Sequence, residues 1–591
     1  GAPFDSTPAN SMAAIASKYY FDAAGGVSPL RTDLPAGNVP VPDQCSVLSP
    51  SSVEWKRLDC QKNLHMNFYG VTLGGRGDIF NPDIDQDPYV LNPTWPGYTA
   101  NSRSTVDDIW HATVNTRGQF ISARTPSDIT AAMRRILESV GSGSTPSGSI
   151  ALTGSRVGTN SLSVVPFYAS TNNGTDWYST LTAQTVTRNA STGAVAFAKS
   201  WEATEQLPGY AARNIRVAKT TGSVVPTVTA FTDSAVSLAD LCSNATFARC
   251  TAATITALGV NLNQAVAYLR GDQTLETGGT LRRRTKVLGD IVNSSPIVSA
   301  TNDDYGYRSL RGSTAGTFNP YAYQNYLTTK KTRAPMVYAA ANDGMLHAFN
   351  GTTGVEQFAY IPATALGHMG NLLTPYSATA SADQKFQHRY YVDGPISVSD
   401  AYLASVWKTV LVGTAGAGGR GVFALDVSTP ASFGDSSVLW EINDKVTDTT
   451  IKNNIGHVLG KPIIVPVKVG TTVAWKAIFG NGYGSINGKA ALFVVNLEDG
   501  AVTTVLADEA DATLPSKNGL GNLIVLDRYV GSTTTKASDG YGDTVYAGDQ
   551  NGAVWKFDLR SATPAAQSTP FYIAKDASNN RQSIMGGFAA A

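Results

Sequence analysis

Residues 336–350 read M-V-Y-A-A-A-N-D-G-M-L-H-A-F-N, a pattern that few folds admit. Apolar runs flank Asn342-Asp343-Gly344, which predicts two strands joined by a tight turn. Glycine reaches the positive φ of such turns at little steric cost. The unit returns at 409–426, 477–496 and 544–558. The hairpin ends Asn350, Asp426, Asn496 and Asp558 lie 76, 70 and 62 residues apart. An extended run precedes each hairpin, at 295–300, 395–403, 462–467 and 523–526. Another follows each, at 356–361, 438–442, 501–506 and 570–574. Four antiparallel strands at a recurring interval predict the blade of a β-propeller. Ring closure removes the sheet edges that invite pairing with other chains. A fifth blade starts at 582–588. Four blades and a start are few for a closed ring, so either further blades lie outside this sequence or the stretch upstream supplies one.

The 591 residues suffice for several domains. Forty-five basic and 45 acidic residues cancel, which removes any simple electrostatic case for nucleic acid or an anionic membrane. Charged residues make up 15%, and Gly, Ser, Thr and Tyr take their place, as suits a strand-rich, turn-rich extracellular protein. No apolar run is long enough to cross a bilayer, so an integral membrane protein is not expected. The first ten residues lack the basic region and apolar core of a signal peptide, as a trimmed exported chain or a cytosolic one would. The cysteines form two local couples, Cys45 with Cys60 and Cys242 with Cys250. Even count and close pairing favour two disulfides in an oxidising compartment, with four free thiols as the alternative. Neither couple has the CxxC spacing of a zinc site.

Upstream of the repeats, residues 1–140 read as mixed α/β. Residues 11–21 space Met12, Ile15 and Tyr19 as a helix does, 66–73 alternates like a strand, and 127–140 predicts a capped amphipathic helix through Ile129, Met133, Ile136 and Leu137. Residues 141–148, G-S-G-S-T-P-S-G, form a linker. Residues 149–278 predict a β-rich connecting domain with short strands such as 163–168 and 194–197. It closes on one helix at 255–270. The propeller takes 279–591.

Specific motifs run through the second half in fixed order: Y-L-R-G-D at 268–272 with Glu276, Arg282-Arg283-Arg284, V-L-G-D-I-V-N-S-S-P at 287–296, A-N-D-G-M-L-H-A-F at 341–349, Y-V-D-G at 391–394, 416–426, F-G-N-G-Y at 479–483 and Y-A-G-D-Q-N-G-A-V-W-K-F-D-L at 546–559. In these the chain resembles the PilY/PilC family of type IV pilus tip proteins across essentially all of 265–590. Residues 11–20, 64–74 and 107–120 resemble part of that family's upstream von Willebrand A-like domain. The D-x-S-x-S metal loop is not found, so the front half of that domain, with most of its metal ligands, is missing, and adhesion through that metal is not assigned. The resemblance implies a mainly β chain: a quinoprotein-like β-propeller preceded by a β-rich connecting region and a partial α/β von Willebrand A-like domain. It also implies a non-enzymatic protein, exported through the periplasm to the pilus tip at the cell surface. There it would bind minor pilins, promote assembly or oppose retraction, and contact a surface or host-cell receptor.

Family propellers carry a D-x-[DN]-x-D-G-x-x-D calcium loop, and calcium takes six to eight oxygen ligands. Asp539, Gly540 and Asp543 match its end, while Thr535 and Ala537 interrupt the earlier ligand positions. Asp527 supplies the first ligand if 528–538 loops out; an ordinary Asp/Gly turn is the bland reading. Two R-G-D triplets occur. Arg76-Gly77-Asp78, in a Gly-rich turn, is the adhesion candidate; 270–272 ends a helix and reads as structural. The histidines, His65, His111, His347, His368, His388 and His457, are scattered. His347 stands where the other repeats carry Phe423, Phe493 and Trp555, which predicts a packing role. A quinoprotein-type dehydrogenase is the alternative from another class, but no two cysteines are adjacent as that family requires. A carbohydrate-binding propeller would rest on exposed Trp95, Trp407 and Tyr483.

Overall fold

The computed structural model describes residues 4, 10–21, 37, 39, 41, 44–84, 86–122, 151–152, 161–171, 176–188, 195–310, 320–375, 388–509, 514–527 and 538–589. The chain divides into two compact units, Gly1–Pro146 and Ser147–Ala591. No helix among the described residues is long and apolar enough to cross a membrane. The expected helix at 127–140 and the linker at 141–148 lie outside the described residues.

In the first unit, helix Met12–Tyr20 packs on helix Ser104–Asn115. Ser11 caps the first helix, and the buried Asp108 carboxylate accepts from the amides of Met12 and Ala13 at 2.8 and 3.0 Å. The packed face is Ala13, Ala16, Ser17 and Tyr20, whereas the expected stripe of Met12, Ile15 and Tyr19 is exposed. Small side chains win because they let the helix backbones approach closely, and the facing residue is Ala112. The expected strand at 66–73 shortens to Gly70–Thr72, paired in parallel with Phe120–Ser122. Cys45 is bonded to Cys60.

Among the described residues the second unit holds five sheets. Four contain the predicted hairpins. The first blade places Ile297–Ser299, Met336–Ala340, Leu346–Asn350 and Glu356–Ile361 side by side, and Gly344 takes φ 95° in its turn. The second runs Ile396–Leu403, Val406–Thr414, Gly421–Asp426 and Val438–Asn443. The third runs Ile463–Val469, Thr472–Gly480, Ala490–Asn496 and Val502–Ala507. The fourth begins with Leu520–Leu526, Thr544–Asp549 and Ala553–Asp558. Its outer strand, expected at 570–574, is split: Ala565–Ala566 and Tyr572–Ile573 pair with opposite ends of Ala553–Asp558. Residues 582–588 form no strand. They lie on the fourth blade, with the Ile584 amide donating to Asp549 O at 3.1 Å.

The fifth sheet is upstream: Ala151–Leu152, Ser161–Thr171, Asp176–Arg188 and Val195–Glu202 in an antiparallel meander. It stacks on the first blade, with Val164, Leu181, Ala183 and Trp201 in one core with Val337, Ala339 and Phe349. Three details make it equivalent to a blade. Its outer strand bulges just before Trp201, as the first blade's does before Phe358 and the second's before Trp440. Each of these aromatics locks into the turn after the third strand of the next sheet. Trp201 Nε1 donates to Gly351 O at 2.8 Å, Trp440 Nε1 donates to Leu497 O at 3.3 Å, and Phe358 stacks on Phe433 at 3.7 Å. Gly354 and Gly500 sit beneath the two indoles, where a Cβ would fall within 3 Å of the ring.

The expected boundary at 278/279 is therefore not a seam. Besides this upstream sheet, Ile215–Lys219 pairs in parallel with Glu356–Ile361, and Thr227–Ala230 extends the first blade to six strands. The single helix expected at 255–270 is two, Ala252–Ala257 and Leu262–Arg270. Gly259 at φ 77° breaks it, and Asn261 restarts it with a capping box to Gln264. Cys242 is bonded to Cys250 nearby.

Candidate functional site

The first strands of the four repeats line an open cavity of about 830 Å³, with Ile297, Val398, Ile464 and Leu523 among its walls. Tyr305, Tyr307 and Tyr541 add aromatic wall, and Asp527 with 540–542 forms part of the rim. There the structure brings three sequence-predicted residues together. One carboxylate oxygen each from Asp527, Asp539 and Asp543 lie within 4.8 Å of one another. Asp527 ends the fourth blade's first strand and Asp543 precedes its second, so the sheet fixes both ends of the loop. Asp527 accepts from the Asp539 amide at 3.3 Å, the Gly540 amide at 2.7 Å and the Ser538 hydroxyl. The Asp543 amide donates to Leu526 O at 3.0 Å. Gly540 has φ 87°, and a Cβ there would approach Leu310 Cδ2 to 2.5 Å. An all-oxygen set of three carboxylates suits a hard divalent cation such as calcium and lacks the sulfur or imidazole of a zinc site. Thr535 and Ala537 fall outside the described residues.

Arg76 and Asp78 are exposed, but Gly77 between them is buried. Asp107, 1% exposed, accepts from the amides of Asp78, Ile79 and Phe80 at 2.6, 3.4 and 2.9 Å. This turn is pinned rather than flexible. Arg270 of the second triplet donates to the carbonyls of Tyr210, Phe231 and Arg213, a structural use.

His347 departs from its expected packing role. It is as buried as Phe423, Phe493 and Trp555, and its register opposite the second strand is the same as theirs. Yet its Nδ1 lies 2.8 Å from Glu356 and its Nε2 3.1 Å from both Asp343 oxygens. Arg213 forks onto Glu356 at 2.6 and 2.7 Å. Burial opposes a charged imidazole, but the Asp343 carboxylate and hydrogen bonds to Asp343 and Glu356 outweigh it, raising the pKa to about 9. Burial likewise opposes the Glu356 charge, and Arg213 with His347 overcomes it to bring its pKa down to about 2. Sequence reasoning missed this network, because Arg213 and Glu356 are 143 residues apart. The candidate sugar-binding aromatics are packed: Trp95 stacks on His111 at 4.1 Å, Trp407 is 8% exposed, and Tyr483 is half-buried.

The PilY1 beta-propeller domain description matches residues 288–590, half of the chain. The chain belongs to that family. Two relatives named type IV pilus biogenesis factor PilY1 or its homolog agree. One from Xylella fastidiosa (strain Temecula1) is 38% identical over 484 residues, 75% of this chain and 31% of the relative. One from Pseudomonas aeruginosa (strain PAK) is 33% identical over 591 residues, 97% of this chain and 46% of the relative. The chain thus spans less than half the length of these relatives. The crystal structure of the Pseudomonas aeruginosa PilY1 C-terminal domain is 31% identical, with TM-score 0.35, over 45% of this chain and 51% of that one. The PilY1-matched span contains the acidic loop and the walls of the axial cavity; Arg76-Gly77-Asp78, both disulfides and the upstream blade lie before it.

Proposed function

We propose that this chain is a non-enzymatic part of the type IV pilus assembly machinery, exported to the pilus tip, whose 149–591 region docks minor pilins. The single observation that carries this is the PilY1 match along the whole run of hairpin repeats. The packing supports it: aromatic locks between successive sheets make the blades a rigid platform, and rigid surfaces bind with less ordering cost. The chemistry favours it over the dehydrogenase reading, since all four cysteines are tied in two disulfides between non-adjacent residues. Deleting 149–591 from the protein is expected to reduce surface piliation in the producing cell. Normal piliation without that region would remove the assembly role.

Calcium is the metal this reading assigns to Asp527, Asp539 and Asp543. Bound there, it would neutralise three converging carboxylates and tie Asp539 and Asp543 to Asp527 at the end of the first strand. Isothermal titration with calcium should show a binding isotherm for the wild type and none for Asp543→Ala. Identical thermograms would eliminate the site. The first unit is assigned to surface or host-cell contact, as the partial von Willebrand A-like domain. Its Arg76 and Asp78 project from the pinned turn, in a geometry that a receptor would meet preformed.

A further inference from the structure

A groove of about 410 Å³ lies between the first and second blades, apart from the axial cavity. Small-ligand sites measure ~300–1,000 Å³. Met336 and Tyr338 form one wall, the 427–432 turn faces them, and Arg333 stands at the edge. The lining contains two cations, Lys330 and Arg333, and no carboxylate among the described residues.

Lys330 is already engaged. Its Nζ donates to both oxygens of the buried Asp400 at 3.0 and 2.9 Å and to Asp303 O at 3.1 Å. Arg333 has no carboxylate partner among the described residues. Its Nη1 donates to the Tyr326 hydroxyl at 3.1 Å, and the guanidinium sits 4.9 Å over that ring. Thr409 Oγ1 donates to Asp400 at 2.8 Å, so the Tyr326 hydroxyl donates in turn to Thr409, at 2.6 Å. A continuous hydrogen-bond chain therefore runs from the Lys330–Asp400 pair to the guanidinium and fixes it before any ligand arrives.

An independent observation points to a ligand. Tyr338 is 1% exposed and lines the groove, yet its hydroxyl has no hydrogen-bond partner among the described residues. The hydroxyl is not enclosed among apolar atoms but opens onto the groove, where a ligand can reach it. Asn350, whose Oδ1 accepts from the Thr352 and Thr353 amides, and Gln357, whose Nε2 donates to Val355 O at 3.3 Å, line the same space and keep Nδ2 and Oε1 for a ligand.

We propose that this groove binds the C-terminal carboxylate of a peptide with a short apolar last residue. Arg333 pairs the carboxylate, the Tyr338 hydroxyl donates to it, Met336 meets the apolar side chain, and Asn350 and Gln357 serve the adjoining peptide bond. A chain end sets its carboxylate directly beside a peptide group, which an Asp or Glu side chain does not. The proposal does not depend on the pilus reading.

The test titrates the full chain with fluorescein-labelled Ala-Val-Ala bearing a free carboxylate, with its C-terminal amide, and with the amidated Ala-Glu-Ala. The free acid should bind at least about tenfold more tightly than either amide, as loss of a charge-assisted bond implies. Arg333→Gln should weaken the free acid by about tenfold, and Tyr338→Phe should weaken it several-fold, with unfolding midpoints unchanged. Should Arg333→Gln shift the midpoint, Tyr338→Phe and the loss of affinity with added salt carry the test. Absence of saturable binding by the free acid, equal affinity for acid and amide, or tighter binding of the internal Glu would overturn the proposal.

Discussion

Arg213→Met is expected to cost about 3–5 kcal/mol of stability, the range found when one member of a buried ion pair is removed. Both side chains are almost wholly enclosed, Arg213 at 2% and Glu356 at 1% exposure. Without the guanidinium, Glu356 keeps only His347, and burial then draws its pKa back up. The pH dependence carries a sign. Glu356 is depressed from 4.5 to about 2 in the folded chain, so its contribution is present above pH 4.5 and is lost as pH falls through about 2. His347 is raised from 6.5 to about 9, so its contribution is full below pH 6.5 and is lost as pH rises through about 9. The contribution of this network should thus be full between pH 4.5 and 6.5 in the wild type. In Arg213→Met the acid limb should begin at higher pH. Urea unfolding across pH 3–10 measures both effects. A variant within 0.5 kcal/mol of wild type, with an unmoved acid limb, would show that the network is not stabilising.

Glu441→Gln should raise stability above pH 7 by about 3 kcal/mol. Glu441 is buried between the first two blades, where its carboxylate accepts from the Tyr360 hydroxyl at 2.5 Å and the Ala363 amide at 3.1 Å. Burial dominates those bonds and raises its pKa from 4.5 to about 7. A carboxyl shifted upward favours the protonated fold, so stability declines as pH rises from 4.5 to about 7 and stays reduced above it. At 1.36 kcal/mol per unit the decline amounts to about 3 kcal/mol. Glutamine keeps an oxygen for both donors and removes the charge. Its unfolding profile should lose the decline, and an unchanged slope would place the titrating group elsewhere.

The hairpins are readable because alternation and glycine-bearing turns act locally: the strand pairs close across three to nine residues, and every predicted hairpin forms. The outer strand of the fourth blade is legible only in part, as Tyr572–Ile573, because it shares one partner with the second piece, Ala565–Ala566, which no local pattern records. The helix at 12–20 was found but its buried face was inverted, since hydrophobicity points to Met12, Ile15 and Tyr19 while close approach selects the alanines. The upstream sheet reads as a connecting domain, with a further blade from this stretch as one of two alternatives, although a sharper signal is present. Trp-Glu occurs at 201–202 and at 440–441, the same place in both outer strands, with a glycine-bearing turn to receive each indole. His347 was read from its column of aromatics; what separates it from them is Arg213, Asp343 and Glu356, which only the folded chain assembles. In the acidic loop Asp539, Gly540 and Asp543 carry a spacing, and Asp527 enters the sequence reading only on a condition, which the two strand ends meet by bringing it to them.

The central claim is that the stacked blades are a docking platform for the pilus tip. Its most direct test is co-purification of the protein, with and without residues 149–591, against the assembled minor pilins. Retention by the intact protein and its disappearance with the blades is the predicted result. Undiminished retention after the blades are removed would contradict it.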